Sequence, residues 1–278
     1  MDSSQPKRYI TALTIAGSDN RGGAGIQADL KTFSALGCYG MSVITAVTAQ
    51  NTVGVREIHP IPAPMVVQQL ECVLEEIETD AIKTGMLVSQ EIIDAVADTL
   101  FRYPGKPLVI DPVMVSSSGY RLLEKKAEQA LVKRLFPLAS LITPNRVEAE
   151  VLLNRSLKEP QAMEQACHDL LHLGAKAVLF KGGHFSGDTS EDCLGYYESG
   201  GDLVLGWYST PRIHTKNTHG TGCSLASAIA AYLAKGKGLA EAVLEAKRFL
   251  TSALEAGASY QLGKGPGPLH HFYQFWGN

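Results

Sequence analysis

Short apolar runs rich in β-branched residues take turns with longer amphipathic runs along nearly the whole chain, and few folds accept that rhythm. Residues 9–16 (YITALTIA) have strand composition. Ile26, Leu30, Phe33 and Leu36 then recur at helical spacing over 25–36, with Gly37 where a helix would stop. Further strand runs lie at 41–50, 81–84, 108–113, 141–143 and 177–181. Helical patterns separate them at 65–77, 91–102, 125–135 and 161–173, with one more opened by Pro144-Asn145. Strands that are apolar almost throughout need both faces covered. The pattern therefore predicts an α/β fold with a mostly parallel central sheet and helices on each side.

After Lys181 the order changes. Residues 192–198 and 204–208 read as an antiparallel pair around Ser199-Gly200-Gly201-Asp202, and helices follow at 223–234 and 239–256. No Pro/Ser-rich linker or internal repeat interrupts the chain, so one domain over residues 1–278 is expected.

Charge and cysteine usage narrow the function. The net charge is −3, with Lys and Arg scattered, which gives a nucleic-acid or acidic-membrane partner no electrostatic support. Five cysteines (Cys38, Cys72, Cys167, Cys193, Cys223) make an odd set with no Cys-x-x-Cys pair. They point to free thiols in a reducing compartment rather than to disulfides or a structural zinc. No apolar run is long enough to cross a bilayer. Lys7-Arg8 before YITALTIA faintly resembles a signal peptide, but the stretch leads into the turn Gly17-Ser18-Asp19 without a small-residue cleavage site, so a cytoplasmic protein is expected.

In an open parallel sheet, ligands bind at the carboxyl ends of the strands. Here those ends carry AGSDNRGGAG, TAQNT, KTGM, DPVM, TPNRVE and KGGH, which predicts a site shared by several loops. No Gly-Lys-Ser/Thr is present, and Gly220-Thr221-Gly222 starts a G-x-G-x-x-G that fails at Leu225. The usual P-loop and dinucleotide readings lose their main support.

The stretch NTHGTGC, residues 217–223, offers another anion site. Gly220 and Gly222 let backbone N–H groups converge, and the helix that follows adds the positive end of its dipole. A glycine turn before an Ala-rich packing helix explains the stretch equally well. Cys223 falls in that helix's first turn, where a lowered thiol pKa would suit a base or nucleophile, although a small buried residue is the commoner fate of cysteine. Asp111 and Glu148 are oxygen donors suited to magnesium. Glu148 would alternatively close a capping box with Asn145. Lys181 reaches an anion or is simply solvated. His168 and His172, four apart on a helix, are expected to face solvent, and His270-His271 lacks metal spacing.

Together these segments resemble the ribokinase-like kinases, and most closely the hydroxymethylpyrimidine/phosphomethylpyrimidine kinase family of thiamine biosynthesis. The resemblance is carried by LTIAGSDNRGGAGIQADLKTFSALGCYGMSVITAVTAQNT, IKTGML, VIDPVM, LITPNRVEAE, KGGH and TKNTHGTGC, and it spans essentially the whole chain. It implies a three-layer α/β/α sandwich, ATP as donor, magnesium, and a homodimer. The implied substrate is 4-amino-5-hydroxymethyl-2-methylpyrimidine, phosphorylated first to its monophosphate and then to the pyrophosphate.

Residue by residue, the resemblance makes Cys223 the catalytic base, where many ribokinase-like enzymes carry aspartate, and makes Gly220 and Gly222 the anion hole. It places Gln50 on the pyrimidine, with Gly17, Asp19, Ala24, Met86 and Val113 lining the same pocket. Asp111, Asn145 and Glu148 would organise magnesium and phosphate. Lys181 would sit near the nucleotide phosphates, and Thr215, Asn217 and Thr221 near the nucleotide. The alternative for Gln50 is a strand-end amide satisfying loop backbone, and the concurrence of the other motifs favours the binding role. Asp29 is expected on a solvated helix face. The loops 116–120 and 185–191 have the composition of lids.

Two rivals remain at this level. A pyridoxal kinase of the same superfamily shares HGTGC, and Gln50, able to pair with both a donor and an acceptor, favours the aminopyrimidine over it. A non-catalytic pyrimidine-binding protein would not need Asp111, Glu148, Lys181 and the whole of NTHGTGC.

Overall fold

A computed structural model describes residues 7–116, 119–160 and 162–276. Nine strands form one sheet in the order β3-β2-β1-β4-β5-β6-β7-β8-β9. They are β1 (Thr11–Asp19), β2 (Tyr39–Gln50), β3 (Val55–Pro60), β4 (Ala81–Thr84), β5 (Leu108–Ile110), β6 (Leu141–Ile142), β7 (Ala177–Lys181), β8 (Thr189–Tyr197) and β9 (Leu203–Pro211). From β2 through β7 every neighbouring pair is parallel, while β3, β8 and β9 pair antiparallel.

Alternation along the strands feeds two cores. Leu13, Ile15, Leu108 and Ile110 pack under α2 (Ala63–Leu74), α3 (Gln90–Arg102), α4 (Lys125–Ala130), α5 (Arg146–Leu153) and α6 (Ala162–Leu171). Ala12, Val109, Leu141 and Leu179 face α1 (Gly25–Ala35), α7 (Thr221–Ala234) and α8 (Leu239–Gly257). This is the three-layer α/β/α sandwich expected, and it follows from period-2 side chains in strands buried on both sides.

Some elements differ from the sequence reading. β3, sequence VREIHP, was not anticipated: it is an edge strand with mixed polarity, held by backbone pairing to β2 rather than by an apolar face. β8 and β9 extend beyond their apolar stretches for the same reason. The helix expected over 125–135 is α4 followed by a π turn at Leu131–Leu135 and a 3-10 turn at Phe136–Leu138, the latter containing Pro137. Gln161, the expected start of the next helix, and Ser117 and Ser118 of the first lid candidate lie outside the described residues.

Candidate active site

Groups from the ends of β1, β4, β5 and β7 approach the first turn of α7. Gly220 precedes that turn in the left-handed region, with φ 86°. A Cβ there would lie 1.8 Å from the Gly23 carbonyl oxygen, so only glycine lets the β1–α1 loop and the α7 turn meet. A Cβ on Gly222 would lie 3.4 Å from Lys181 Nζ and 3.5 Å from Asp111 Oδ2, so bare backbone faces that pair.

Lys181 Nζ donates to Asp111 Oδ1 at 2.7 Å, and Thr143 Oγ1 donates to the same oxygen at 3.1 Å. Burial would lower the Lys181 pKa, but the charges of Asp111 and Glu148 outweigh it and hold the ammonium above its ordinary value. Lys181 is therefore not a solvated lysine. Asn145 and Glu148 form the capping box: the Asn145 N–H donates to Glu148 Oε2 at 2.8 Å, and the Glu148 N–H to Asn145 Oδ1 at 3.1 Å. Glu148 is also buried against Lys181 and Asp111. Burial first, with the Asp111 charge adding and Lys181 opposing, pushes its carboxyl up to about 7.

Cys223 lies between this pair and the β1–α1 loop, where the Gly25 N–H points at its sulfur. The expected lowering of its pKa is not found. Burial pushes the thiol up to about 11, against the pull of Lys83, and Asp29 and Asp111 push the same way as burial. A first-turn position does not overcome desolvation flanked by two carboxylates.

Asp19, almost fully buried, is a hub. Its Oδ1 accepts from the Arg21 N–H and from Gln50 Nε2. Its Oδ2 accepts from the N–H groups of Gly23 and Ala24 and from His219 Nε2, all at 2.7–3.1 Å. Burial would raise its pKa, but these donors, His219 first, hold it below the ordinary carboxylate range. With its acceptor sites so occupied, Asp19 orders the loop and fixes Gln50.

Gln50 Nε2 also reaches Thr48 Oγ1 at 3.2 Å, so its amide N–H groups are spent and Oε1 is the free end. Gln50 thus offers an acceptor, not the donor–acceptor pair expected. Beside it, Gly17 is bare where Met86 enters, since a Cβ would lie 2.2 Å from the Met86 methyl carbon. Met86 and Val113 share an apolar cluster with Ala46 and Val88.

Asn217 is placed differently from expectation. Its Nδ2 donates to the Gly257 and Tyr260 carbonyls, each at 2.7 Å, and its Oδ1 accepts from the Gly267 N–H at 3.1 Å. The amide is spent on anchoring the C-terminal segment. Thr215 Oγ1 accepts from the Asn217 N–H, and both residues line an open cleft of about 510 Å³ with His214, Lys216, Tyr260 and Lys264. Thr221, half-exposed, is the first residue of α7.

Three groups escaped the sequence reading. His219 pins Asp19. Lys83 and Asp29, both fully buried, pair directly beneath α7, so Asp29 is not on a solvated face. The signal for Asp29 was present: it lies three residues after Ile26 and four before Phe33, on the apolar stripe itself. His168 on α6 and His172, just past its end, lie side by side, with ring centroids 4.5 Å apart and the rings tilted by 54°. Among the described residues, no group of three or more His, Cys, Asp or Glu is placed to hold a metal.

Fold and site define a ribokinase-like α/β kinase: a glycine turn feeds a helix over the ends of parallel strands, beside a buried Lys–Asp pair. A sequence model described as phosphomethylpyrimidine kinase matches residues 19–270. The chain is 48% identical over 266 residues to the hydroxymethylpyrimidine/phosphomethylpyrimidine kinase of Rhizobium meliloti (strain 1021), covering 95% of this chain and 98% of that protein. It belongs to the phosphomethylpyrimidine kinase family. A crystal structure of phosphomethylpyrimidine kinase from Clostridium difficile 630 is 45% identical with a TM-score of 0.76, over 88% of this chain and 99% of that one. Pyridoxal kinase from Staphylococcus aureus in complex with AMP-PCP and pyridoxal is 35% identical with a TM-score of 0.84, over 96% of this chain and 95% of that one.

Proposed function

We propose that the chain transfers the γ-phosphoryl group of ATP to the hydroxymethyl oxygen of 4-amino-5-hydroxymethyl-2-methylpyrimidine, and then phosphorylates that monophosphate to the pyrophosphate at the same site. One observation carries the reading. The Gly220–Cys223 turn is locked against the Gly23–Ala24 loop, whose Asp19 also holds Gln50, on one side and faces the Lys181–Asp111 pair on the other.

The pyrimidine lies on the Gln50 side, its exocyclic amine donating to Gln50 Oε1. Apolar contact with Met86 and Val113 orients the ring, and Gly17, Asp19 and Ala24 shape the loop beneath it. The hydroxymethyl oxygen then points at Cys223. The transferring phosphoryl group sits over the N–H groups of residues 220–223, with the Lys181 ammonium beside it. With its thiol pushed up to about 11, Cys223 must ionise before it takes the hydroxyl proton, and the Lys83 ammonium and the Gly25 N–H favour that form. Thr215 and Thr221 border the nucleotide, whose base fits the cleft beside His214 and Tyr260.

Asp111 and Glu148 are hard oxygen donors of the kind magnesium uses alongside phosphate. Asp111 Oδ2 accepts no hydrogen bond among the described residues, and the missing side chain at Gly222 leaves it approachable. The residues fit magnesium, which when bound would neutralise phosphate charge.

One kinase domain over residues 1–278 is supported by the single sheet. A cytoplasmic location accords with five free thiols, and no helix of the described residues is long and apolar enough to cross a membrane. A homodimer rests on the family resemblance.

Pyridoxal is the second substrate to test, because the Staphylococcus aureus neighbour binds it on the same fold. Incubating the protein with Mg-ATP and, separately, the hydroxymethylpyrimidine, its monophosphate and pyridoxal, with products read by mass spectrometry, tests the proposal. Conversion of both pyrimidines is the expected result. Pyridoxal phosphate alone would keep the phosphoryl-transfer half and overturn the assignment of Gln50.

A further inference from the structure

Arg146 opens α5, one residue past Asn145. It is half-buried, its side chain has no carboxylate partner and no hydrogen bond among the described residues, and its Nε is shut away from solvent without an acceptor. An unsatisfied buried charged donor is costly, and proteins keep one where something else supplies the acceptor. The guanidinium is also held in place: its central carbon lies 5.7 Å from the centroid of the Phe185 ring. Phe185 is itself fixed, since its N–H donates to the Gly182 carbonyl at 3.0 Å, its carbonyl accepts from Arg212 Nη2 at 2.7 Å, and its ring packs on Phe180.

Position says what the missing acceptor is. Asn145 bridges to Lys181 through the backbone, so Arg146 stands at the β6–β7 end of the sheet, beside Lys181 and far from Gln50 at the end of β2. His184 lies close by: burial first, then the charges of Lys181 and Arg146, lowers its pKa. Lys181 and Arg146, from the ends of two neighbouring strands, therefore both lie around His184, on the Lys181 side of Cys223. A planar guanidinium with a free edge is the side chain best matched to phosphate oxygens.

We infer that Arg146, oriented by Phe185, binds a phosphate of the donor nucleoside triphosphate. This rests on the kinase reading above. It also changes the role of the 185–191 loop. Arg212 ties that loop through the carbonyls of Gly183, Phe185, Gly187 and Thr189, so it serves as a fixed backing for Arg146 rather than as a lid.

The test measures steady-state kinetics and, separately, ADP binding by calorimetry for wild type, Arg146→Ala, Arg146→Lys and Phe185→Ala. Arg146→Ala should raise the KM for ATP and the Kd for ADP by about 10–100-fold, the loss of one or two charge-assisted hydrogen bonds, with the pyrimidine KM unchanged. Arg146→Lys should recover little, because the fork is lost, and Phe185→Ala should weaken ADP binding by about 3–5-fold. An unchanged KM for ATP together with unchanged ADP binding in Arg146→Ala, with a melting temperature near wild type, overturns the inference. So does an equal rise in the pyrimidine KM. If wild type phosphorylates no pyrimidine yet binds ADP through Arg146, the substrate reading fails and this inference stands.

Discussion

Two buried lysine–aspartate pairs flank the first turn of α7, and they are built to opposite ends. In the first, Lys83 Nζ donates to both oxygens of Asp29 at 2.9 Å, Thr14 Oγ1 donates to Oδ2 and Ser227 Oγ to Oδ1, each at 2.6 Å, and neither charged side chain is exposed. That pair welds β1, β4, α1 and α7 and leaves the carboxylate nothing more to accept. In the second, Lys181 and Thr143 share Asp111 Oδ1, while Oδ2 is left over and faces the side-chain-free Gly222. A saturated pair is structure. An unsaturated pair beside bare backbone is prepared for a ligand.

The sharpest way to break this contrast is to remove the two lysines in turn. Lys83→Met strands a carboxylate in the core and should cost about 3–5 kcal/mol of stability in urea denaturation. Adding Asp29→Leu should return part of it, since two apolar groups can replace a buried pair. Lys181→Met should cost less stability, about 1–3 kcal/mol, because Asp111 keeps Thr143 and an opening. It should lower kcat by about 10²–10³-fold, the scale of one preorganised charge lost from a phosphoryl-transfer site. Equal stability losses with kcat intact in Lys181→Met would erase the distinction.

The distinction was only half legible in the sequence. Asp111 after an apolar strand and Lys181 before Gly182-Gly183 stood out because polar residues at strand ends mark ligand sites in parallel sheets. Lys83, in AIKTG, lies one residue before the end of its strand and has nearly the same local signature as Lys181, the last strand residue, in LFKGG. What separates them is which groups arrive from elsewhere: Asp29 from α1 and Ser227 from α7 saturate one, and glycine leaves the other open. Periodicity locates elements and faces, so the sheet, its parallel centre and the two helical layers could be read. Partners brought together across nearly 200 residues, such as Asp29 with Ser227 or Asp19 with His219, have no local trace. The spent amides of Gln50 and Asn217 were hidden for the same reason.

Cys223 reports on both pairs, because Lys83 draws its pKa down while Asp29 and Asp111 drive it up. In the ligand-free protein the thiol is expected to ionise above its ordinary value, toward about 11. Its alkylation rate by iodoacetamide, followed by peptide mapping to separate it from exposed Cys72, should still climb about tenfold per pH unit between pH 7 and 9. A plateau below pH 8 would mean a thiolate already formed, and would restore the helix dipole as the dominant influence. Lys83→Met should slow alkylation at a given pH, provided the variant remains folded.

The smallest effects compare the hydroxyls that support each carboxylate. Ser227→Ala takes one of four donations from Asp29, so Lys83 and Thr14 still satisfy it. The expected cost is about 1–2 kcal/mol of stability with kcat unchanged. Thr143→Ala takes one of two donations from Asp111 Oδ1, at the longer distance of 3.1 Å, and should cost no more than about 1 kcal/mol. Its effect should appear instead as a few-fold fall in kcat/KM for ATP, because Thr143 helps to set the direction in which Asp111 presents its free oxygen. If Ser227→Ala moved the kinetics and Thr143→Ala moved only the stability, the saturated pair would be the one that works on the substrate.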